Sequence, residues 1–242
     1  MKYILDTHTH TLASGHSYST IREMAHSASQ KGLQLLGITE HAPQMPGSCH
    51  EFYFHNLKVV ERTMCGVELL LGAELNILDT DGTVDLPEKI LRKLDITIAS
   101  LHTPCFTPGT RLENTKAYLN AIKNPLINII GHPDDRRYPV DYKELVLAAK
   151  EYGTLIELNN SSLTEGGARV NARPLDIEIL GLCAEYDVPI VVGSDAHIDS
   201  AVGNHEKASA LLEEIHFPEH LIVNQDTEYL KKYVNRYKNI LD

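Results

Sequence analysis

Short apolar runs alternate with longer amphipathic stretches along all 242 residues, and this alternation constrains the fold more than any other feature. Runs rich in leucine and β-branched residues predict strands, and stretches with helical periodicity predict helices. We predict seven strands, near Tyr3–Asp6, Leu35–Thr39, Glu68–Ala73, Asp95–Ala99, Ile127–Ile130, Leu155–Leu158 and Pro189–Val192. The helices are predicted near Thr20–Lys31, Phe54–Thr63, Pro87–Lys93, Leu112–Lys123, Tyr142–Tyr152, Pro174–Tyr186, Glu206–Ile215 and Thr227–Ile240.

Repeated βα units of this kind are typical of an α/β protein in which helices cover a parallel sheet. The sequence contains no Ser/Gly/Pro-rich linker and no internal repeat, so we predict one domain over residues 1–242. An open doubly wound sheet would give the same alternation, but it gathers its ligands at one crevice. Here ligand-type residues follow six of the seven predicted strands. A (β/α)7 barrel, similar to a TIM barrel, therefore fits better.

The residues that follow these strands are of the types that bind metal ions. The carboxyl ends of barrel strands meet at one rim, so residues far apart in sequence become neighbours there. The candidate ligands are His8, His10, His16, His41, Glu74, His102, His132, Asp195 and His197. A catalytic zinc ion takes about three protein ligands, so nine indicate two or three ions. Because a carboxylate has two oxygens, Glu74 is the best candidate for a ligand shared by two ions.

Other polar residues near the same rim are candidates for binding a substrate. The loop after the sixth strand offers amides, which rarely hold transition metals, and guanidinium groups grip phosphate oxygens in a bidentate fashion. The candidates are Asn159, Asn160, Arg136, Arg137, Arg169 and Arg173. The remaining histidines lie away from strand ends and are interpreted as structural or solvent-facing: His26, His50, His55, His205, His216 and His220.

Composition and charge argue against a nucleic-acid partner and against a membrane or secreted protein. The formal net charge of −11 opposes binding to a nucleic-acid backbone, although bound cations would focus positive potential in one cleft. The four cysteines form no C-x-x-C pair, which predicts reduced thiols and a cytoplasmic protein. The apolar stretch at the start is too short for a signal peptide, and no run approaches the roughly 20 residues that span a bilayer.

Four motifs contain most of the candidate ligands: D-T-H-T-H at 6–10, T-E-H-A-P at 39–43, G-H-P-D at 131–134 and S-D-A-H at 194–197. Over nearly the whole chain this pattern resembles the PHP superfamily, named for polymerase and histidinol phosphatase, and within it the small stand-alone YcdX-type phosphatases. The resemblance implies a distorted seven-stranded barrel with a trinuclear zinc centre. Imidazole-rich shells suit zinc, while mixed histidine and carboxylate shells also accept manganese or iron.

The resemblance also implies a ligand set for each of the three ions. His8, His10, Glu74 and Asp195 would bind the first, Glu74, His102 and His132 the second, and His16, His41 and His197 the third. Glu74, Asp195 and His197 are the residues expected to matter most for catalysis. The implied reaction is hydrolysis of a small phosphomonoester by a metal-bound hydroxide, with the acid for the leaving group unassigned between metal-bound water and Asp195.

Three other functions are compatible with part of the pattern. An amidohydrolase-type barrel also uses H-x-H, later histidines and an aspartate, but the third histidine group and Glu74 disfavour it. A DNA exonuclease of the PHP type would use the same metals, but the negative charge and the lack of a basic, aromatic stripe argue against it. A metal-storage protein would gain nothing from open coordination positions.

Overall fold

The structure is a computed structural model that describes residues 2–167, 169 and 171–238. Its strands are β1 (Leu5–Asp6), β2 (Leu35–His41), β3 (Thr63–Met64), β4 (Val67–Asn76), β5 (Ile96–Ser100), β6 (Ile129–Ile130), β7 (Leu155–Asn159) and β8 (Ile190–Gly193). Its α-helices are α1 (Ile21–Gln30), α2 (Glu51–Asn56), α3 (Glu88–Leu91), α4 (Arg111–Ile122), α5 (Tyr142–Tyr152), α6 (Ala172–Tyr186), α7 (Glu206–Glu214) and α8 (Thr227–Lys231).

Seven of the strands form a parallel sheet in the order β1-β2-β4-β5-β6-β7-β8, with helices in the connections. The short β3 lies outside this series and pairs antiparallel with β4. The sheet is nearly closed, because Thr9 and Ala196 form a parallel bridge beyond the ends of β1 and β8. The predicted distorted (β/α)7 barrel is therefore confirmed.

The Asn224 side chain lies in the seam between β1 and β8. The Nδ2 group of Asn224 donates hydrogen bonds to the carbonyl oxygens of Leu5 (3.2 Å) and Val192 (2.8 Å). Its Oδ1 atom accepts the N–H of Val192 at 2.7 Å. Asn224 thus satisfies backbone groups that a fully paired strand would otherwise satisfy.

The inside of the barrel changes from apolar to polar along the strands. Alternate residues of a strand share a face, so Leu70 and Glu74 both point inward, as do Leu155 and Glu157. The apolar layer forms a separate buried cluster, whose lower side is covered by Val223, Leu230 and Val234 from the C-terminal part of the chain. The strand residues of this cluster are Leu5, Leu35, Leu70, Ile96, Ile98, Ile129, Leu155 and Val191. The polar layer lies above this floor, near the carboxyl ends of the strands.

The predicted helix over Phe54–Thr63 is wrong in its bounds. The helix α2 ends at Asn56, a single 3-10 turn follows at Leu57–Val59, and the chain then enters β3. Cys65 (φ 52°) and Gly66 (φ 78°) turn the chain from β3 into β4. Consecutive positive φ angles are typical of a tight hairpin turn, and this local pairing overrides the helical pattern.

Two further helices are shorter than predicted. The helix predicted over Pro87–Lys93 is confined to α3, Glu88–Leu91. The helix predicted over Thr227–Ile240 is wrong beyond Lys231, where α8 ends, and residues 239 and 240 lie outside the described part of the chain. Val234 packs against the barrel floor, so the chain turns inward after α8. Within the described residues, no helix has both the length and the apolarity needed to cross a membrane.

Candidate metal centre

The strands deliver the nine predicted ligands to one end of the barrel. His41 and Glu74 lie within β2 and β4, and the other seven lie in the loops that follow β1, β5, β6 and β8. His8, His10 and Glu74 are fully buried, His132 is nearly so, and His16 is the exposed member of the group. The apolar floor of the barrel lies below them.

Glu74 lies at the centre of the group, and its two oxygens face different histidines. The Oε1 atom lies 3.2 Å from Nε2 of His102 and 2.8 Å from Nε2 of His132. The Oε2 atom lies 3.4 Å from Nε2 of His8, 3.6 Å from Nε2 of His10 and 2.8 Å from Nδ1 of His41. A carboxylate in this position can contribute one oxygen to each of two neighbouring cations.

Asp195 completes the group around His8 and His10. Its Oδ1 atom lies 3.6 Å from Nε2 of His8 and 3.4 Å from Nε2 of His10. The Asp195 and Glu74 carboxylates therefore both lie near the Nε2 atoms of the same two histidines. Asp195 adopts a positive φ of 54°, a conformation that an aspartate tolerates better than most residues.

A third histidine group lies nearer the solvent. The ring of His16 lies 4.8 Å from the ring of His41 and 5.0 Å from that of His197, measured between centroids. The ring of His10 lies between this group and the buried carboxylates, 4.2 Å from His41 and 4.4 Å from His197. The structure thus brings all nine predicted ligands together.

The donor atoms have the properties of a site for divalent cations. Ligand atoms of His8, His10 and Glu74 lie within 4.8 Å of one another, as do those of His41, Glu74 and His102. The Nε2 atoms of His8 and His10 and the Oε2 atom of Glu74 are buried and make no hydrogen bond. Buried polar atoms normally have partners, and a cation between converging lone pairs would provide one. The residues therefore fit a metal centre.

Hydrogen bonds on the far side of three rings leave Nε2 free to bind a metal. Nδ1 of His8 contacts Oε1 of Glu157 at 2.7 Å, and Nδ1 of His102 contacts Oδ1 of Asn76 at 2.7 Å. Nδ1 of His10 lies 3.1 Å from the Ser14 hydroxyl, which donates to Glu40 at 2.6 Å. Such outer partners fix the tautomer and orientation of metal-binding histidines.

Sequence reasoning missed these outer residues. Glu157 lies inside the predicted strand Leu155–Leu158, and Glu40 lies in β2 directly before the predicted ligand His41. The sequence feature that could have identified them is a glutamate in an otherwise largely apolar segment that forms a strand buried on both faces. Asp6, just ahead of the H-x-H pair, is also buried, and it accepts the N–H groups of Ser194 (3.1 Å) and Gly203 (2.9 Å).

Charge balance dominates the electrostatics of the centre. Burial alone would lower the pKa of His8, but Glu157, Glu74 and Asp195 outweigh it and raise this pKa well above its usual value. Burial alone would raise the pKa of Glu74, but His102, His8 and His41 hold it well below the usual range. In the absence of a cation the carboxylates thus attract a proton to His8, and a cation would have to displace it.

Two of the predicted substrate-binding residues reach the centre. The Arg169 guanidinium donates to Oδ2 of Asp195 at 3.1 Å and to the Ser162 hydroxyl at 3.2 Å. The Asn159 amide donates to the same Asp195 oxygen at 3.2 Å. Both groups therefore border the metal-binding residues from the side of β7.

The other predicted substrate contacts have different surroundings. Arg137 pairs with Asp135, and Arg173 pairs with Glu214. Arg136 lines a separate cavity of about 200 Å³. The Oδ1 atom of Asn160 accepts N–H groups at the start of α7, from Lys207 (2.9 Å) and Ala208 (3.0 Å). The structure does not bring these four side chains into the ligand group.

The six remaining histidines were interpreted as structural or solvent-facing, and His205 is the buried one among them. Its Nε2 atom lies 3.6 Å from Oδ2 of Asp6, and its ring packs edge-on against Tyr3 at 5.4 Å. This position lies beneath the H-x-H pair, at the seam between β1 and α7. His205 is therefore part of the packing that supports the first strand.

The sequence matches the PHP domain family over residues 6–240. This chain belongs to the PHP domain family. Among curated relatives of this PHP domain protein is a probable phosphatase of Caldanaerobacter subterraneus subsp. tengcongensis, 51% identical over 235 residues, covering 97% of this chain and 92% of the relative. Another is a probable phosphatase of Clostridium novyi, 48% identical over 242 residues, covering 100% and 98% of the two chains.

A solved structure shares the fold of this PHP domain. The histidinol phosphate phosphatase of Lactococcus lactis subsp. lactis, in complex with zinc, L-histidinol and phosphate, matches with a TM-score of 0.60. The match covers 89% of this chain and 95% of that one, at 18% sequence identity. At this identity the similarity establishes the fold, and the predicted resemblance to the PHP superfamily is confirmed by the family match.

Proposed function

We propose that this PHP domain protein is a metal-dependent phosphoesterase that hydrolyses small phosphomonoesters. The observation that carries the proposal is the position of Glu74, whose two oxygens face two separate groups of histidines. Paired metal positions joined by one carboxylate are a recurring arrangement in enzymes that hydrolyse phosphate esters. The curated relatives, named probable phosphatases, indicate the same class of enzyme.

The proposed centre holds three divalent ions, with zinc as the preferred metal. His8, His10, Glu74 and Asp195 would hold the first ion, and Glu74, His102 and His132 the second. His16, His41 and His197 would hold the third. The zinc in the Lactococcus structure supports this choice of metal. Bound ions would stabilise charge on phosphoryl oxygens as Lewis acids and would lower the pKa of a water molecule.

The protein's own residues would orient the substrate. The Arg169 guanidinium is largely shielded from solvent and borders Asp195, so it is placed to donate hydrogen bonds to a phosphate held by the same centre. Asn159 would hold Asp195 in position through its amide. Asp195, His197 and Glu74 would hold the ions that contact the phosphate. This is the catalytic role that we propose for these three residues.

The organic part of the substrate would lie beside Arg169. A cavity of about 420 Å³ is lined there by Ser162, Thr164, Arg169 and Arg173. Its size suits a small metabolite, and its lining combines hydroxyl and guanidinium donors with the carboxylate of Glu165. The net charge of −11 disfavours a nucleic-acid substrate.

The experiment uses the metal-loaded full chain and compares p-nitrophenyl phosphate with p-nitrophenyl acetate and a dihydropyrimidine-like amide. We expect hydrolysis of the phosphate ester alone, with metal content measured on the same sample. Hydrolysis of the acetate or the amide without the phosphate ester would favour an amidohydrolase instead. Degradation of single-stranded DNA at low enzyme concentration, without hydrolysis of the monoester, would favour an exonuclease.

A variant pair tests the role of Arg169. We expect Arg169→Ala to lower kcat/KM for the phosphate ester by about 10- to 100-fold, since a charge-assisted hydrogen bond contributes roughly 1.5–3 kcal/mol. Arg111→Ala serves as the control, because Arg111 is exposed and pairs with Asp141 away from the centre. Wild-type kinetics for Arg169→Ala, at unchanged metal content, would remove Arg169 from the substrate site.

A further inference from the structure

Glu157 is a buried carboxylate that touches two of the candidate metal ligands without belonging to the proposed ligand sets. It lies in β7 with 3% of its surface exposed. Its Oε1 atom lies 2.7 Å from Nδ1 of His8, and its Oε2 atom accepts the backbone N–H of His132 at 2.9 Å. His8 and His132 are assigned to different ions in the proposed centre. The Glu157 side chain therefore contacts one proposed ligand of each of two ions.

We propose that Glu157 is a positioning residue that holds His8 and His132 ready to bind metal. The inference rests on the proposed function, which supplies the roles of the two histidines. A carboxylate can only accept hydrogen bonds, so its contact with His8 requires the proton on Nδ1. The lone pair of His8 is then on Nε2, the atom that faces Glu74 and Asp195.

The second contact acts on the backbone of the loop after β6. His132 has a positive φ of 29°, an unfavourable conformation for a residue with a side chain. The hydrogen bond from its N–H to Glu157 compensates for this strain and holds the turn that directs Nε2 toward Glu74. Loss of that acceptor would remove a hydrogen bond that stabilises the turn in this conformation.

The neighbouring strand leaves space for the Glu157 carboxylate. Gly193 ends β8 beside it, and a Cβ atom at Gly193 would come within 2.1 Å of Oε1 of Glu157 and 2.9 Å of Cβ of His8. A glycine at this position lets the carboxylate lie between β7 and His8. The other oxygen, Oε2, accepts a hydrogen bond from the Asn159 amide at 3.1 Å in addition to the one from His132. Three donors thus converge on one buried side chain.

Replacing Glu157 by glutamine tests the proposal, because glutamine has nearly the same shape but only one acceptor oxygen. If its amide group faces His8, the ring must move its proton to Nε2 and lose the lone pair that binds metal. If its amide group faces His132 instead, two N–H groups oppose each other. We therefore expect weaker metal binding in a folded protein.

The readout is zinc binding, independent of activity. Zinc dissociation constants are measured by competition with a chromophoric chelator, and zinc per chain is measured by elemental analysis. We expect Glu157→Gln to weaken binding by about 10- to 100-fold, the usual effect of removing an outer partner of a metal ligand. Glu151→Gln is the matched control, since Glu151 is exposed at the end of α5, and we expect it to bind zinc as the wild type does.

Two further measurements keep the inference open to refutation. Glu157→Asp keeps the buried charge with a shorter reach, and we expect intermediate affinity from it even if the glutamine variant does not fold. In a cycle with His8→Asn, the two losses of zinc affinity should not add, because Glu157 acts partly through His8. Wild-type affinity in a folded Glu157 variant, or full additivity, would overturn the proposal. Activity of the wild type is scored separately, so failure of the phosphoesterase assignment is distinguishable.

Discussion

Replacing Glu74 by glutamine tests the central feature of the proposed metal centre. Glutamine keeps the shape of the side chain but removes the negative charge and one of the two acceptor oxygens. Every histidine that faces Glu74 lies within 3.6 Å of one of its oxygens, and the side chain is fully buried. The buried layer below Glu74 consists of apolar side chains, which cannot take the place of the lost oxygen as a metal ligand.

The size of the effect follows from this burial. Removing one partner of a buried charge pair typically destabilises the remaining charge by about 3–5 kcal/mol. At about 1.4 kcal/mol per factor of ten, this corresponds to a loss of roughly 10²- to 10³-fold or slightly more in affinity for the ions that Glu74 contacts. Because Oε1 and Oε2 face separate histidine groups, we expect the loss to affect two ions rather than one.

The assay combines metal stoichiometry with kinetics on p-nitrophenyl phosphate. We expect Glu74→Gln to be folded, to retain fewer ions per chain than the wild type and to be nearly inactive. Circular dichroism of the metal-free proteins controls for folding. Full metal content together with full activity would refute the bridging assignment. Loss of one ion only would show that the oxygen left in the glutamine still holds the other ion, so that only one of the two ions depends on the carboxylate.

Three further predictions concern packing and protonation. Gly193→Ala forces a Cβ atom to within 2.1 Å of Glu157, so we expect about 1–3 kcal/mol of destabilisation, measured by denaturant titration; an unchanged midpoint would contradict it. Leu70→Ala in the buried floor should lower the free energy of unfolding by about 2–5 kcal/mol but leave the amount of zinc bound per folded chain unchanged. Loss of zinc would show that packing of the floor affects the metal centre. In the metal-free protein the pKa of His8 is raised well above its usual value, so protonated His8 contributes stability that is complete below about pH 6.5 and is lost as pH rises through the raised pKa. The destabilisation by His8→Asn should therefore shrink as the pH rises above about 6.5, whereas zinc binding by the wild type should strengthen. A pH-independent difference would exclude this titration.

Much of the fold was readable from local patterns. The alternation of apolar runs and amphipathic stretches places the seven barrel strands, since strand and helix periodicity depend on nearby residues. The prediction was wrong where a local hairpin or the floor packing prevailed, at Phe54–Thr63 and beyond Lys231. In the first place the chain exchanges helical hydrogen bonds for pairing with the adjacent strand β4, and in the second for packing of Val234 against the barrel floor.

The sequence alone determined which residues could gather at the rim, because the carboxyl end of each strand is fixed by the order of the βα units. Only the tertiary structure decided that each oxygen of Glu74 faces its own histidines, and that Glu157, 149 positions from His8, fixes that ring. It also separated Arg169, beside Asp195, from Arg136. Strand periodicity is a local property, whereas side-chain partners across the barrel depend on how the sheet closes and which strands approach each other.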